Sequence, residues 1–202
     1  MDYDHLLSEI EGFIGQSFDQ QRGYAYPFHN ISHIYDVVKA ADEIADFYKL
    51  AKEYRFILKS AAFFHDVGYI QDGPKDHEVK SAMIANRFFE PFSLPAHTLN
   101  SIENCIMATR NKQHPTTFLE AIMCDADLLH FGKEKFEELN LNMYAEITKL
   151  RKFKLDEGVW AAISLNFLEQ HRFHTDYVRS TYDFGKQKNI KALKNKLAYF
   201  QL

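Results

Sequence analysis

Three short stretches of this 202-residue chain place histidine and aspartate where a helical apolar pattern calls for hydrophobic residues. His33 lies four residues before Val37 and eleven before Ile44, so it shares their inward face. His65 follows Leu58 by seven and Ala61 by four, and Asp66 comes next, at the end of AAFFHD. The stretch CDADLLHFG sets Asp125 and Asp127 inside another apolar run, and His29 precedes His33 by four. A buried carboxylate without a partner costs several kcal/mol or takes up a proton. Neither AAFFHDVGY nor IMCDADLLHF contains a Lys or Arg. One divalent cation would satisfy all of these groups together. Two imidazoles and two carboxylates form a mixed nitrogen and oxygen shell suited to Mn, Fe, Ni, Zn or Mg, with open positions for water and substrate. Two residues apart on a helix means about 200° of rotation, so Asp125 and Asp127 cannot easily share one ion. The spacing of Phe118, Ile122, Asp125 and Leu129 nominates Asp125 as the more inward of the two.

The elements that must position these residues read as helices throughout. Ile31, Ile34, Val37, Val38, Ala41, Ile44 and Ala45 form an apolar stripe at spacings of three and four, with Pro27 and Asn30 as start signals. Before it, residues 3–19 read as a first helix. Residues 51–67 form a third, stopped by Gly68, and QDGPKD (71–76) is a loop. Further helices are expected over about 77–90, 96–109, 116–130, 133–150, 157–171 and 175–199. No segment shows sustained strand alternation, so the expected fold is all-α, with about nine helices. Glycine (8) and proline (5) are scarce, while Phe (18) and Tyr (11) supply a bulky core.

Composition narrows the function classes. The charge balance is 24 − 28 = −4, which argues against a dedicated nucleic-acid binder. No apolar run approaches the roughly 20 residues of a membrane span. The N-terminus MDYDHLLSEIEGF lacks the order of a signal peptide. Cys105 and Cys124 sit in apolar surroundings and are too few for a disulfide framework. A reduced, cytoplasmic protein is expected. Lys186, Lys188, Lys191, Lys194 and Lys196 read as a solvated helix face, and WAAISLNFLEQHRFHT as core.

HNISH, then FHDVGY, then ADLL, all on helices, resembles the HD superfamily of metal-dependent phosphohydrolases over about residues 26–135. The small bacterial proteins described as predicted HD-superfamily phosphohydrolases are similar in the Tyr after the HD pair and in a Glu-x-x-x-Ser-Ala helix, here HEVKSA. FHNISHIYDVV also resembles a segment of the class I cyclic-nucleotide phosphodiesterases. The resemblance implies one HD-type helical domain over 1–202, with an HD core and C-terminal helices from about 136. It implies a divalent metal held by His33, His65, Asp66 and Asp127, against the helix phase that favours Asp125. It implies His29 as general acid, with Asp66 accepting a proton from water. Tyr69 stands where HD proteins often carry Lys. His77 is the best candidate for a phosphate or second-metal contact, and Tyr69, Arg110 and Lys112 are further substrate-contact candidates. His97 and His114 read as surface residues.

The expected function is hydrolysis of a small phosphoester, a nucleotide foremost, by a monomer or homodimer. A cyclic-nucleotide phosphodiesterase, a metal- or nucleotide-binding module without turnover, and an iron oxygenase are the rivals.

Overall fold

The structure is a computed structural model that describes residues 1–20, 26–151 and 155–200. It is all-α, and no strand occurs among the described residues. Contacts divide the chain into two compact units, Met1–Asp127 and Leu128–Leu202.

The first unit runs α1 (Tyr3–Gln20), α2 (Ile31–Phe47), α3 (Lys52–Phe64), α4 (Val67–Asp72), α5 (His77–Phe89), α6 (Ala96–Ala108) and α7 (Phe118–Leu128). Helix α3 is the centre, packed against α1, α2 and α6, and α5 packs against α4 and α6. Its faces explain this: Phe56, Ile57, Leu58, Ala61, Ala62, Phe63 and Phe64 are all buried, on more than one side of the helix. Phe64 meets Phe13, Phe88 and Phe89 at ring centroid distances of 5.4 to 5.9 Å. Edge-on and tilted aromatic pairs of this kind add to simple area burial.

The helix expected over 51–67 divides at the His-Asp pair. Helix α3 ends at Phe64, and a short α4 begins at Val67 and takes in Gln71 and Asp72, which were read as loop. Gly68 is therefore not a stop signal. It lies inside α4 because α5 crosses over it: a Cβ there would come within 2.7 Å of the Lys80 Cβ and 2.8 Å of the Ser81 amide nitrogen. The Gly68 N–H donates to Ser81 Oγ at 2.9 Å. The Ser of HEVKSA, Ser81, thus packs against α4 together with Lys80.

The second unit comprises a 3-10 turn (Leu129–Gly132), α8 (Phe136–Arg151), α9 (Glu157–Gln170) and α10 (Asp176–Phe200). Helix α10 packs on α9 and on the 3-10 turn. The crossing is close because it is made at two glycines: a Cβ on Gly132 would strike Tyr182 of α10, and one on Gly185 would strike the Gly132 backbone. Asp156 caps α9, accepting from the Gly158 and Val159 amides. Only one face of α9 is core: Trp160, Ala161, Ser164 and Leu168 are buried, whereas Val159, Ile163 and Phe167 are 44 to 49% exposed. Lys186 departs from the expected solvated face. It is buried, its ammonium donates to the His171 carbonyl, and it lies 5.5 Å from the Phe173 ring centroid. No described helix is long and apolar enough to cross a membrane. Both cysteines are free and buried, and burial pushes the Cys124 thiol up to about 12.

Candidate metal centre

The site is assembled within the first unit from the starts of α2 and α4, the ends of α3 and α7, and the start of α5. Asn30 fixes its first corner. Its Oδ1 caps α2 by accepting from the Ser32 and His33 amides at 2.9 and 3.1 Å, and its Nδ2 donates to the Pro27 carbonyl. That cap leaves His29 just outside the helix and His33 on its first turn, facing the core. At the second corner, His65 caps the C-terminus of α3 and Asp66 opens α4. An aspartate at a helix start ordinarily accepts from the backbone amides of the first turn. Asp66 makes no such bond, and both of its oxygens turn to histidines instead.

His33 Nε2 and His65 Nε2 lie 3.4 Å apart. Asp66 Oδ2 is 3.1 Å from His65 Nε2 and 3.4 Å from His33 Nε2. Asp127 Oδ1, at the end of α7, is 3.4 Å from His33 Nε2 and 3.8 Å from His65 Nε2. His33, His65 and Asp127 form a buried group whose donor atoms all lie within 4.8 Å of one another. Two donors about 2.1 Å from one ion sit roughly 3.0 Å apart at a right angle and 3.4 Å apart at a tetrahedral angle. Four of the five separations fall in that range, and that of Asp127 Oδ1 from His65 Nε2, at 3.8 Å, is wider.

The hydrogen-bond chemistry agrees. His65 Nδ1 lies 2.8 Å from the Ala62 carbonyl, which can only accept, so the ring donates there and presents a lone pair at Nε2. Histidines that hold metals are oriented by such a second bond. That lone pair faces the Nε2 of His33, and two bare lone pairs cannot face each other at this distance without a cation or a proton. In the protein without metal a proton fills the role. Burial opposes charge on His33, but hydrogen bonds and charge from Asp127 and Asp66 outweigh it and raise its pKa to about 9. Burial likewise opposes charge on the two carboxylates, yet both are held well below the usual range. For Asp66 the neighbouring His65, His29 and His33 do this; for Asp127, Lys112 and His33. The donor set thus fits a divalent cation by distance, tautomer and charge.

The remaining candidates fall into three groups. His29 reaches the cluster: its Nε2 lies 3.9 Å from Asp66 Oδ2, and its ring stacks on Tyr69 at 3.8 Å between centroids. Tyr69 is buried and meets Tyr26 and His77 edge-on. His77 is tied to the Pro74 carbonyl through Nδ1, and its Nε2 faces Asp66 Oδ1 at 3.3 Å and Glu78 Oε1 at 3.4 Å. Burial works against charge on His77, but those carboxylates outweigh it and raise its pKa. Lys112 Nζ lies 3.0 Å from Asp127 Oδ2. Arg110 stands apart, exposed and paired with Asp76 at 2.7 Å. His97 is a surface partner of Glu53, and His114 is exposed.

The choice between the two aspartates follows from α7 as a whole. Ile122, Met123, Cys124, Asp125, Ala126 and Leu128 are all buried, so the helix has no polar face to set its phase. Apolar spacing nominates Asp125, a weak guide on such a helix, whereas the structure brings Asp127 to the two histidines. Two participants escaped the reading of the sequence in these roles. One is Glu78, the partner of His77, whose only signal was its place in HEVKSA. The other is Lys112 as counter-ion to Asp127; it is fifteen residues away in sequence, so no local pattern announces the pair.

No curated protein sequence matches the chain significantly. Among solved structures, the chain is similar to a predicted HD superfamily hydrolase from an uncultured Thermotogales bacterium, with a TM-score of 0.63 and 20% identity over 99% of both chains. At that identity the likeness establishes the fold. The model of the HD domain family matches residues 30–132, which span the start of α2 to the end of the 3-10 turn after α7 and hold His33, His65, Asp66 and Asp127. With half the chain matched, the chain belongs to the HD domain family.

Proposed function

We propose that this protein is a metal-dependent phosphohydrolase acting on a small phosphoester, a nucleotide foremost. The observation that carries the reading is the buried group of His33, His65 and Asp127 with Asp66 against both imidazoles. A divalent ion bound there would lower the pKa of a water and polarise a phosphoryl oxygen. His33, His65 and Asp127 would hold it, with Asp66 Oδ2, beside both imidazoles, as the candidate fourth donor. Asp66 also accepts the proton that the attacking water loses. His29, stacked on Tyr69 at the cluster's edge, donates a proton to the leaving oxygen. Tyr69 fixes the plane of the His29 ring, and His77, whose two carboxylate neighbours favour its charged form, faces the incoming anion.

The test has two stages. Metal content of the purified protein is measured first. Phosphate release is then measured across linear nucleotides, cyclic nucleotides and sugar phosphates, with Mn, Fe, Ni, Zn and Mg in turn. Turnover that needs a divalent ion and vanishes in Asp66→Ala supports the reading. Stoichiometric metal retained in Asp66→Ala would contradict the ligand assignment, and no turnover with any ion would contradict the reaction.

A further inference from the structure

Helix α9 is apolar on two sides, and the core of the second unit accounts for only one of them. Trp160, Ala161, Ser164 and Leu168 are buried. On the other side Val159, Ile163 and Phe167 stand 48, 49 and 44% exposed, at successive spacings of four. Ala162, Asn166 and Gln170 form a second exposed row beside them. The two amides of that row bond to each other, Gln170 Nε2 donating to Asn166 Oδ1 at 3.0 Å. Rows of side chains at this spacing make the ridges and grooves into which a second helix packs. None of these six positions is charged, in a chain of which 26% is charged. A solvent-facing helix ordinarily carries its charged residues on this side.

The charges around the face select its occupant. Helix α9 contains no Lys or Arg. Helices that lie on anionic lipid surfaces carry many, and nucleic-acid surfaces are likewise basic. The charges of α9 lie at its ends instead, and they are opposite. Asp156 and Glu157 are exposed at the N-terminal end. Arg172 is exposed just past the C-terminal end, where Glu169 is already paired with Lys194 at 2.7 Å. Two copies of α9 running antiparallel bring the acidic end of each beside the basic end of the other. Opposite ends of the two helix dipoles meet in the same way. With the two-fold axis at Ile163, that side chain meets its own copy, and Val159 meets Phe167 of the partner subunit. One patch thus serves both copies, as a two-fold contact requires.

We propose that the uncharged face of α9 is the surface through which two copies of this chain associate, antiparallel about a two-fold axis at Ile163. The 14 residues of α9 make a strip about 21 Å long. One such strip is smaller than the roughly 800 Å² per partner of a standard interface. The dimer is therefore of the weak kind that forms and dissociates with concentration.

Sedimentation velocity of the full-length protein over about 1 to 200 µM tests this, a range that brackets weak association. The wild type shifts from one chain towards two as concentration rises. Ile163→Glu brings two like charges together at the axis and raises the dissociation constant at least about tenfold. Far-UV circular dichroism checks its fold, and Val159→Glu serves if Ile163→Glu fails to fold. Ile163→Lys is also a single chain by itself, and an equimolar mixture of the Glu and Lys variants regains the dimer. Glu157→Arg weakens association several-fold, and adding Arg172→Glu to it restores the wild-type value, because those ends meet only in an antiparallel pair. A wild type that stays a single chain at every concentration overturns the proposal; co-flotation of that single chain with phosphatidylglycerol vesicles would make a lipid surface the occupant. A dimer unaffected by Ile163→Glu also overturns it, since the contact then lies on another face. Association that Ile163→Glu abolishes but Glu157→Arg leaves unchanged overturns the antiparallel pairing. None of these measurements involves turnover, so their outcome is independent of the phosphohydrolase reading.

Discussion

Metal binding at this site is expected to depend steeply on pH, and the dependence can be worked from one residue. Without metal, the His33 pKa is held at about 9 by Asp127 and Asp66 against the opposing effect of burial. The two carboxylates lie far below the usual range and carry no proton above pH 5. In the metal-free site at pH 7, His33 therefore holds a proton. A coordinating imidazole must be neutral, so the ion has to displace that proton. The sign follows: a raised pKa means the proton is held below about pH 9, and affinity is lost as pH falls. Each pH unit below 9 costs about 1.4 kcal/mol, or tenfold in affinity. Between pH 8 and pH 6 the loss is about 100-fold, or roughly 2.7 kcal/mol. Mn²⁺ calorimetry at pH 6, 7 and 8, in two buffers of different ionisation enthalpy, reads both the affinity and the protons released. The expected results are close to one proton released per ion at pH 7 and a slope near one in log Kd against pH. A slope below about 0.3 with no proton released would refute the claim that His33, Asp66 and Asp127 converge on one cation.

Four further outcomes follow from the same geometry and packing. His29→Ala should leave Mn²⁺ affinity in place and slow turnover by roughly a hundredfold, the usual scale for a general acid; unchanged turnover removes His29 from the mechanism. Asp127→Asn should weaken Mn²⁺ binding sharply while Asp125→Asn changes it little, measured in one buffer; the reverse ranking would mean that α7 presents its other side to the ion. Gly68→Ala should destabilise the protein by about 1–3 kcal/mol in urea unfolding, because the added methyl meets Lys80 and Ser81 of α5. His171 is buried, chiefly by desolvation kept neutral, and its pKa is lowered to about 3. The unfolded chain therefore takes up a proton below about pH 6.5 that the fold refuses, and stability is lost as pH falls. Between pH 7 and pH 5 that amounts to about 2 kcal/mol. Trp160, the single tryptophan, lies in the same unit and reports the loss by fluorescence, and His171→Phe should flatten the pH dependence.

What the sequence alone determined was the class of fold and the identities of the chemical groups. Helical periodicity, scarce glycine and the stripe from Ile31 to Ala45 are local properties, written in neighbours three and four apart, and they survive into α2 almost unchanged. The inward phase of His33 and His65 was legible for the same reason, since each sits on an apolar face of clear direction. Tertiary structure decided the rest wherever the deciding partner was distant or the local signal was symmetrical. Gly68 looked like a stop because glycine usually ends helices; α5 crossing over it, nine or more residues later, is what requires the missing side chain. Apolar spacing favoured Asp125 and the motif resemblance Asp127, and on a helix buried on every side only the place of α7 in the fold brings one of them, Asp127, to the two histidines. The charge run near the C-terminus looked uniformly solvated until Lys186 was found beneath the His171 carbonyl. Lys112 and Glu78 have no local signature, because an ion pair is set by distance in space and periodicity records only distance along a helix.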